Sequence, residues 1–156
     1  MEKRFAVPKE ILSVAETLQK NNFEAYLVGG CTRDLFMGRK PKDWDITTNA
    51  KPEEIQKLFK ETFYENDYGT VGIVTDTNDA TLKVVEVTPY RIESAYADKR
   101  RPDAVVWSNK LEDDLKRRDF TINAIAYDPL THDIFDLFRG QQDLKDNIIF
   151  LNSCEW

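Results

Sequence analysis

Two aspartates, Asp43 and Asp45, are separated by a single residue in a segment whose alternation predicts a β-strand. Side chains two positions apart on a strand point to the same face of the sheet, so these carboxylates should project together. Two carboxylates held close together repel each other unless a cation neutralises them, and Mg²⁺ takes oxygen ligands together with substrate phosphates. The pair therefore indicates a magnesium site, although Asp-X-Asp is also common in surface turns.

Gly29 and Gly30 follow a short apolar run and precede a helix predicted over residues 32–37. Glycine lets the backbone approach an anion closely, and the free N–H groups that begin a helix favour phosphate. Arg33 lies in the first turn of this helix and would add a positive charge. A strand-to-helix turn in which Arg33 and Asp34 are solvated or paired is the structural alternative.

Glu86 interrupts a run, Thr81–Thr88, that otherwise predicts a core strand. An acid among apolar neighbours needs a partner. If this strand lies beside that of Asp43 and Asp45, the three carboxylates form a cluster able to hold two metal ions. The alternative is that Glu86 lies on the exposed face of an edge strand.

A second polar group of residues contains Arg117, Arg118, Asp119 and Asn123. A guanidinium binds phosphate in a bidentate manner, and an amide can donate to or accept from a sugar or base. We therefore expect Arg118 and Asn123 to contact a nucleotide. A solvated helix with internal ion pairs is the alternative.

The elements that must position these side chains predict a single α+β domain, a small mixed sheet backed by helices. Pro8 begins an amphipathic helix that ends at Asn21–Asn22, and Pro52 begins another that carries Ile55, Leu58, Phe59 and Phe63. The other expected elements are a strand over 25–28, a hairpin of 69–75 with 81–90, helical turns from Leu111 and again over 117–124, and a last hairpin around Asp128–Pro129.

The formal net charge of −6, from 28 acidic and 22 basic residues, excludes nucleic-acid binding through overall positive charge. Any such contact must be local, as in the segment Asp98–Arg118, where seven basic residues face five acidic ones. No DNA partner is expected. Cys31 and Cys154 form no zinc or disulfide pattern, and no run has the roughly 20 apolar residues of a membrane span. We expect a soluble, cytoplasmic protein with no membrane partner.

Three segments taken together, Tyr26–Leu35, Asp43–Ile46 and Glu112–Ala124, resemble the head domain of class II tRNA nucleotidyltransferases and bacterial poly(A) polymerases. These belong to the wider DNA polymerase beta-like nucleotidyltransferase superfamily. The likeness extends from Tyr26 to Ile149, and its most specific part is the run R-R-D-F-T-I-N-A at 117–124.

The resemblance implies that Asp43 and Asp45 bind catalytic Mg²⁺, that Glu86 is the supporting acid, and that Gly30, Arg33 and Arg118 contact the nucleotide. It implies addition of CMP and AMP from CTP and ATP to the 3′ end of tRNA, with release of pyrophosphate. Residues 98–102 correspond to a flexible basic element of the family, in which Lys99 here replaces a glycine. Cys31 and Thr32 also depart from the usual pattern without removing a ligand.

Residues 1–149 are accordingly interpreted as the head domain, and residues 150–156 as a tail that does not follow the family. The helical neck, which reads the base in the family, and the domains that hold tRNA would then lie outside this sequence, so we expect a weak grip on tRNA. A poly(A) polymerase head, a nucleotide-binding module inactive without its neck, and a purely structural domain are the alternatives.

Overall fold

A computed structural model describes residues 3–92 and 105–152. Its helices are α1 (Lys9–Lys20), α2 (Gly30–Phe36), α3 (Pro52–Leu58), α4 (Leu111–Lys116) and α5 (Gly140–Lys145), with a 3₁₀ helix at Thr121–Asn123. Its strands are β1 (Tyr26–Leu27), β2 (Trp44–Thr48), β3 (Thr62–Tyr64), β4 (Val71–Val74), β5 (Val84–Pro89), β6 (Arg91–Ile92), β7 (Val106–Trp107), β8 (Ala126–Tyr127) and β9 (Ile134–Phe135). None of the helices in these two stretches has the length and apolar character needed to cross a membrane.

A mixed sheet in the order β3-β4-β5-β2-β1-β8-β9 forms the centre of the molecule. Its neighbouring strands are antiparallel except for β2 and β5, which run parallel with Asp45 opposite Glu86. Strands β6 and β7 form a separate two-stranded ribbon. The parallel pair brings together two segments that are about forty residues apart in the chain, and it places their acidic residues side by side.

One face of the sheet packs against α1 and α3 and forms the larger core. Alternation along β5 decides which residues enter that core, because Val85, Val87 and Pro89 are buried whereas Glu86 points to the opposite face. The amphipathic face of α1, formed by Ile11, Val14, Ala15 and Leu18, packs against this layer. The sequence-predicted helix at Pro8–Asn21 is confirmed.

The other face is only partly covered. A smaller core contains Val28, Tyr90, Leu111, Leu115, Ala124 and Ala126. Helix α4 contacts β2 and β6, so it covers the end of the sheet that lies beyond Asp45. The middle of this face, where Asp45 and Glu86 lie, remains accessible.

The predicted α+β class, with a mixed sheet and helices, is confirmed, but two local predictions need correction and one helix is missing from the prediction. The helix beginning at Pro52 ends at Leu58, and Phe63 belongs to β3, which pairs with β4. The helical stretch predicted over 117–124 is only a 3₁₀ helix. Helix α5 was not predicted from the sequence at all. In each case pairing or packing with a distant segment overrides the local pattern.

Candidate active site

The acidic residues of the site come from β2, β5 and the residue before β2. Asp45 and Glu86 are half-buried neighbours on parallel strands, in register with each other. Asp43 lies one residue before β2 and is exposed, so it is not part of the strand as predicted. Glu86 lies on an interior strand, between β4 and β2, which corrects the alternative of an edge strand.

The carboxylates influence one another. A hydrogen bond with Asp45 raises the pKa of Glu86 to about 7, helped by burial and by the negative charges of Asp45 and Asp43. Among residues 3–92 and 105–152, no three His, Cys, Asp or Glu side chains are arranged as a metal site. The structure thus brings Asp45 and Glu86 together and leaves Asp43 at the edge of the pair.

The Gly29–Gly30 turn lies directly beside Asp45. Val28 N–H donates to the Asp45 carbonyl oxygen over 3.2 Å, which ties the turn to β2. Gly29 has φ +78° and ψ −142°, a conformation that residues with a side chain rarely adopt. A Cβ at Gly29 would lie 3.5 Å from Nη1 of Arg118 and 3.8 Å from Oδ2 of Asp45. The backbone conformation therefore favours glycine here, and the guanidinium of Arg118 lies within van der Waals distance of the turn.

Arg33 lies against the second glycine of the turn. A Cβ at Gly30 would lie 3.4 Å from its Nη2. Its guanidinium also donates to Oδ1 of Asp34 and to Oδ1 of Asn123, each over 3.2 Å. The paired state expected as the structural alternative for Arg33 and Asp34 is present, and Asn123 holds the same guanidinium beside the turn.

Arg118 completes this arrangement from the end of α4. Its side chain is 16% exposed and its Nη2 donates to Oδ2 of Asp114 over 3.0 Å. Its Nε is buried and has no acceptor within the described ranges. Two guanidiniums, of Arg33 and Arg118, thus flank the Gly29–Gly30 turn, an arrangement suited to the phosphates of a nucleotide.

Asp114 is the residue of the site that the sequence does not single out. The alternative for this segment is a solvated helix with internal ion pairs; the ion pairs of Asp114 with Arg117 and Arg118 are present, but the carboxylate is buried and not solvated. It is 0% exposed and also accepts from Arg117 and Thr47. Its spacing from Leu111 and Leu115, which are buried on the same face of α4, was the available clue. Burial lowers the pKa of Arg117 to about 10, which leaves this arginine charged at neutral pH.

Two depressions flank the carboxylates. A cavity of about 290 Å³ is lined by Asp43 and Glu86 together with Lys42, Trp44, Phe63, Glu65, Ala80, Thr81 and Val84. A second cavity of about 160 Å³ is lined by Asp45, Val28, Ile46, Asn66, Tyr68, Thr70, Thr88, Arg91, Arg117 and Arg118. Asp43 and Glu86 therefore line one depression, and Asp45 lines the other, which is rich in arginine.

Residues after Ile149 contact the site region as well. Phe150 O accepts from Thr121 N–H over 3.0 Å, and Asn152 N–H donates to the Asp119 carbonyl oxygen over 2.8 Å. This pairing supports the backbone that follows Arg118. The basic element Asp98–Pro102 lies outside the described residues.

A family model for the poly A polymerase head domain matches residues 25–150. A CCA-adding enzyme of Staphylococcus aureus (strain Newman) is 46% identical over 137 residues, which cover 87% of this chain and 33% of that enzyme. The enzyme of Staphylococcus aureus (strain bovine RF122 / ET3-1) is 44% identical over the same shares. The chain thus spans about a third of the length of these curated relatives.

Solved structures give the same result. The crystal structure of the Bacillus stearothermophilus CCA-adding enzyme in complex with CTP matches with a TM-score of 0.78 and 36% identity, covering 93% of this chain and 33% of that one. The family match includes the Gly29–Gly30 turn, Asp43, Asp45, Glu86 and Arg118. The chain therefore belongs to the poly A polymerase head domain family.

Proposed function

We propose that this chain is the catalytic head of an RNA nucleotidyltransferase that adds CMP and AMP from CTP and ATP to the 3′ end of tRNA. The observation that carries the proposal is the Asp45–Glu86 pair beside a glycine turn flanked by Arg33 and Arg118. Acids that can bind a metal then lie next to donors that can hold a triphosphate. The similar proteins of Staphylococcus aureus and Bacillus stearothermophilus are CCA-adding enzymes, which supports this choice of reaction.

In this reaction the 3′ oxygen of the acceptor forms a bond to the α-phosphorus of the nucleotide. The bond between that phosphorus and the oxygen bridging to the β-phosphate breaks, pyrophosphate leaves, and the hydroxyl proton passes to solvent. No covalent enzyme intermediate is needed. In our proposal the backbone of Gly29 and Gly30, with Arg33 and Arg118, holds and orients the triphosphate, and Asn123 keeps Arg33 in place.

The donor set suits Mg²⁺, because Asp43, Asp45 and Glu86 supply only carboxylate oxygens, the ligands this cation prefers. Asp43 and Asp45 would hold the ion and Glu86 would support them. Bound there, Mg²⁺ would lower the pKa of the attacking hydroxyl and neutralise charge on the leaving pyrophosphate.

The acceptor is proposed to be the 3′ end of tRNA, held weakly by this chain. Its net charge of −6 gives little general attraction for RNA, so contacts must come from local groups such as Arg91 and Arg117. The assignment of residues 1–149 to a head and of 150–156 to a tail, and the cytoplasmic location, stay predictions.

The proposal is tested by titrating the chain with CTP in the presence and absence of Mg²⁺ by calorimetry, and by assaying incorporation into tRNA that lacks its terminal bases. We expect Mg²⁺-dependent binding, weak incorporation, and loss of both in Asp45→Ala, while Asp146→Asn, an exposed aspartate at the end of α5, behaves as the unaltered chain. Unchanged incorporation by a folded Asp45→Ala protein would refute the proposal. Binding without incorporation would identify a nucleotide-binding module.

Poly(A) addition is the second candidate, because the matching family is described by a poly A polymerase head domain. The two reactions share the chemistry above and differ in the choice of base. A longer form of the protein that incorporates both CMP and AMP would support the tRNA reaction, whereas one that incorporates only AMP would support polyadenylation.

A further inference from the structure

Helix α4 carries a fully buried carboxylate. Asp114 is 0% exposed and shares its face of the helix with Leu111 and Leu115, which are 8% and 0% exposed. A charge at a core position is costly unless hydrogen-bond donors surround it. The hydrogen bonds and ion pairs of Asp114 therefore indicate its role.

Both oxygens of Asp114 are used. Oδ1 accepts from Nε of Arg117 and forms an ion pair with its Nη2, each at 3.0 Å. Oδ2 accepts from Nη2 of Arg118 and from the hydroxyl of Thr47, again at 3.0 Å. One carboxylate thus fixes two guanidiniums and connects them to β2.

These contacts lead directly to the site. Thr47 is two residues beyond Asp45 on β2. Arg118, held through Nη2 by Asp114, presents its other terminal nitrogen, Nη1, to the Gly29 turn. The position of Arg118 relative to the turn is therefore set by a group that lies too deep to reach a substrate itself.

We propose that Asp114 is a positioning residue, which orients the guanidinium of Arg118 so that it meets the triphosphate of the nucleotide at the Gly29–Gly30 turn. The inference rests on the proposed function and adds to it the residue that orients Arg118 for binding phosphate. Arg118 without Asp114 would keep its charge but lose the geometry that a guanidinium needs for phosphate.

The test replaces Asp114 by Asn, which has nearly the same shape but carries no charge. In either orientation of the substituted amide, its NH₂ group faces a donor of Arg117, Arg118 or Thr47 and cannot accept a hydrogen bond from that donor. The probe is inorganic tripolyphosphate with Mg²⁺, and its affinity for the chain is measured by calorimetry. We expect affinity to fall about tenfold, the value for one lost charge-assisted hydrogen bond to phosphate. Thermal unfolding shows that the variant is folded.

A double-mutant cycle separates positioning from a general loss of stability. If Asp114 acts through Arg118, then Asp114→Asn costs little further affinity in an Arg118→Gln background. Asp128, the other buried aspartate of the described ranges, accepts from Gln19 and from two backbone N–H groups away from the turn. Asp128→Asn should lower the unfolding temperature and leave tripolyphosphate affinity unchanged.

If Asp114→Asn does not fold, the substitution is made in an Arg117→Gln background. There, only the guanidinium of Arg118 loses its carboxylate partner. The same tenfold loss is then expected relative to Arg117→Gln alone. Wild-type affinity in a folded Asp114→Asn protein, additive losses with Arg118→Gln, or an equal loss in Asp128→Asn would each overturn the inference. If the unaltered chain does not bind tripolyphosphate, the proposed function fails, and this inference fails with it.

Discussion

Replacing Gly29 by alanine should weaken the binding of CTP, whereas the same substitution at Gly38 should not. Gly29 and Gly38 both have positive φ, +78° and +71°. A Cβ at Gly38 meets nothing within 4 Å, whereas one at Gly29 would lie 3.5 Å from Arg118 Nη1 and 3.8 Å from Asp45 Oδ2. Both substitutions therefore place an alanine at a positive φ, and they differ in what the new methyl group touches.

The expected losses of stability follow from the backbone conformation. An alanine at a positive φ costs about 1–2 kcal/mol, and up to about 3 kcal/mol in the nearly glycine-only region occupied by Gly29. For a chain of this length each kcal/mol lowers the unfolding temperature by about 2–4 °C. We expect both variants to fold, with Gly29→Ala the less stable.

The decisive assay is the affinity for CTP with Mg²⁺, measured by calorimetry below the unfolding transition of both variants. The methyl group of Gly29→Ala would contact both Arg118 and Asp45, where the proposed function places a phosphate, so affinity should fall at least about tenfold. Gly38→Ala should bind like the unaltered chain. Equal affinities in the two folded variants would refute the reasoning about the turn.

Two further predictions concern stability. Burial raises the pKa of Cys31 from its ordinary value near 9 to about 11, so the folded state holds the thiol proton more tightly than the unfolded chain. This contribution, about 2–3 kcal/mol, is fully present below pH 9 and is lost as the pH rises through 11. Between pH 8 and pH 11, the free energy of unfolding measured in urea should fall less for Cys31→Ala than for the unaltered chain. Equal falls would contradict the raised pKa of Cys31. In Gly140→Ala, the methyl group would collide with the Thr121 carbonyl oxygen and lie 2.8 Å from Cγ1 of Ile125. We expect a loss of about 1–3 kcal/mol, and an unchanged urea midpoint would show that the backbone at Thr121 can move.

The local features of the site follow from the sequence. The alternation around Asp43 and Asp45 predicts a strand, and the apolar run before Gly29 predicts the strand-to-turn transition. Both patterns depend only on residues close together in the chain. The structure corrects a detail, since β2 begins at Trp44 and leaves Asp43 just outside.

Long-range relations needed the tertiary structure. From the sequence Glu86 was a conditional member of the cluster, because nothing in the pattern of β5 says which strand it pairs with. The parallel register of β5 with β2 settles that question by placing Glu86 opposite Asp45. Strand pairing at this separation depends on packing of the whole sheet, which no local periodicity contains.

The sequence by itself determined which residue types were available: a glycine turn, closely spaced aspartates and the Arg117–Asn123 run. Only the tertiary structure decided how they are held. A solvated helix was one of the two interpretations of the segment that contains Asp114, yet Asp114 is fully buried and fixes Arg117 and Arg118. The physical reason is that the free-energy contribution of a charge depends on its solvation and on its partners. Folding sets both by bringing distant segments together.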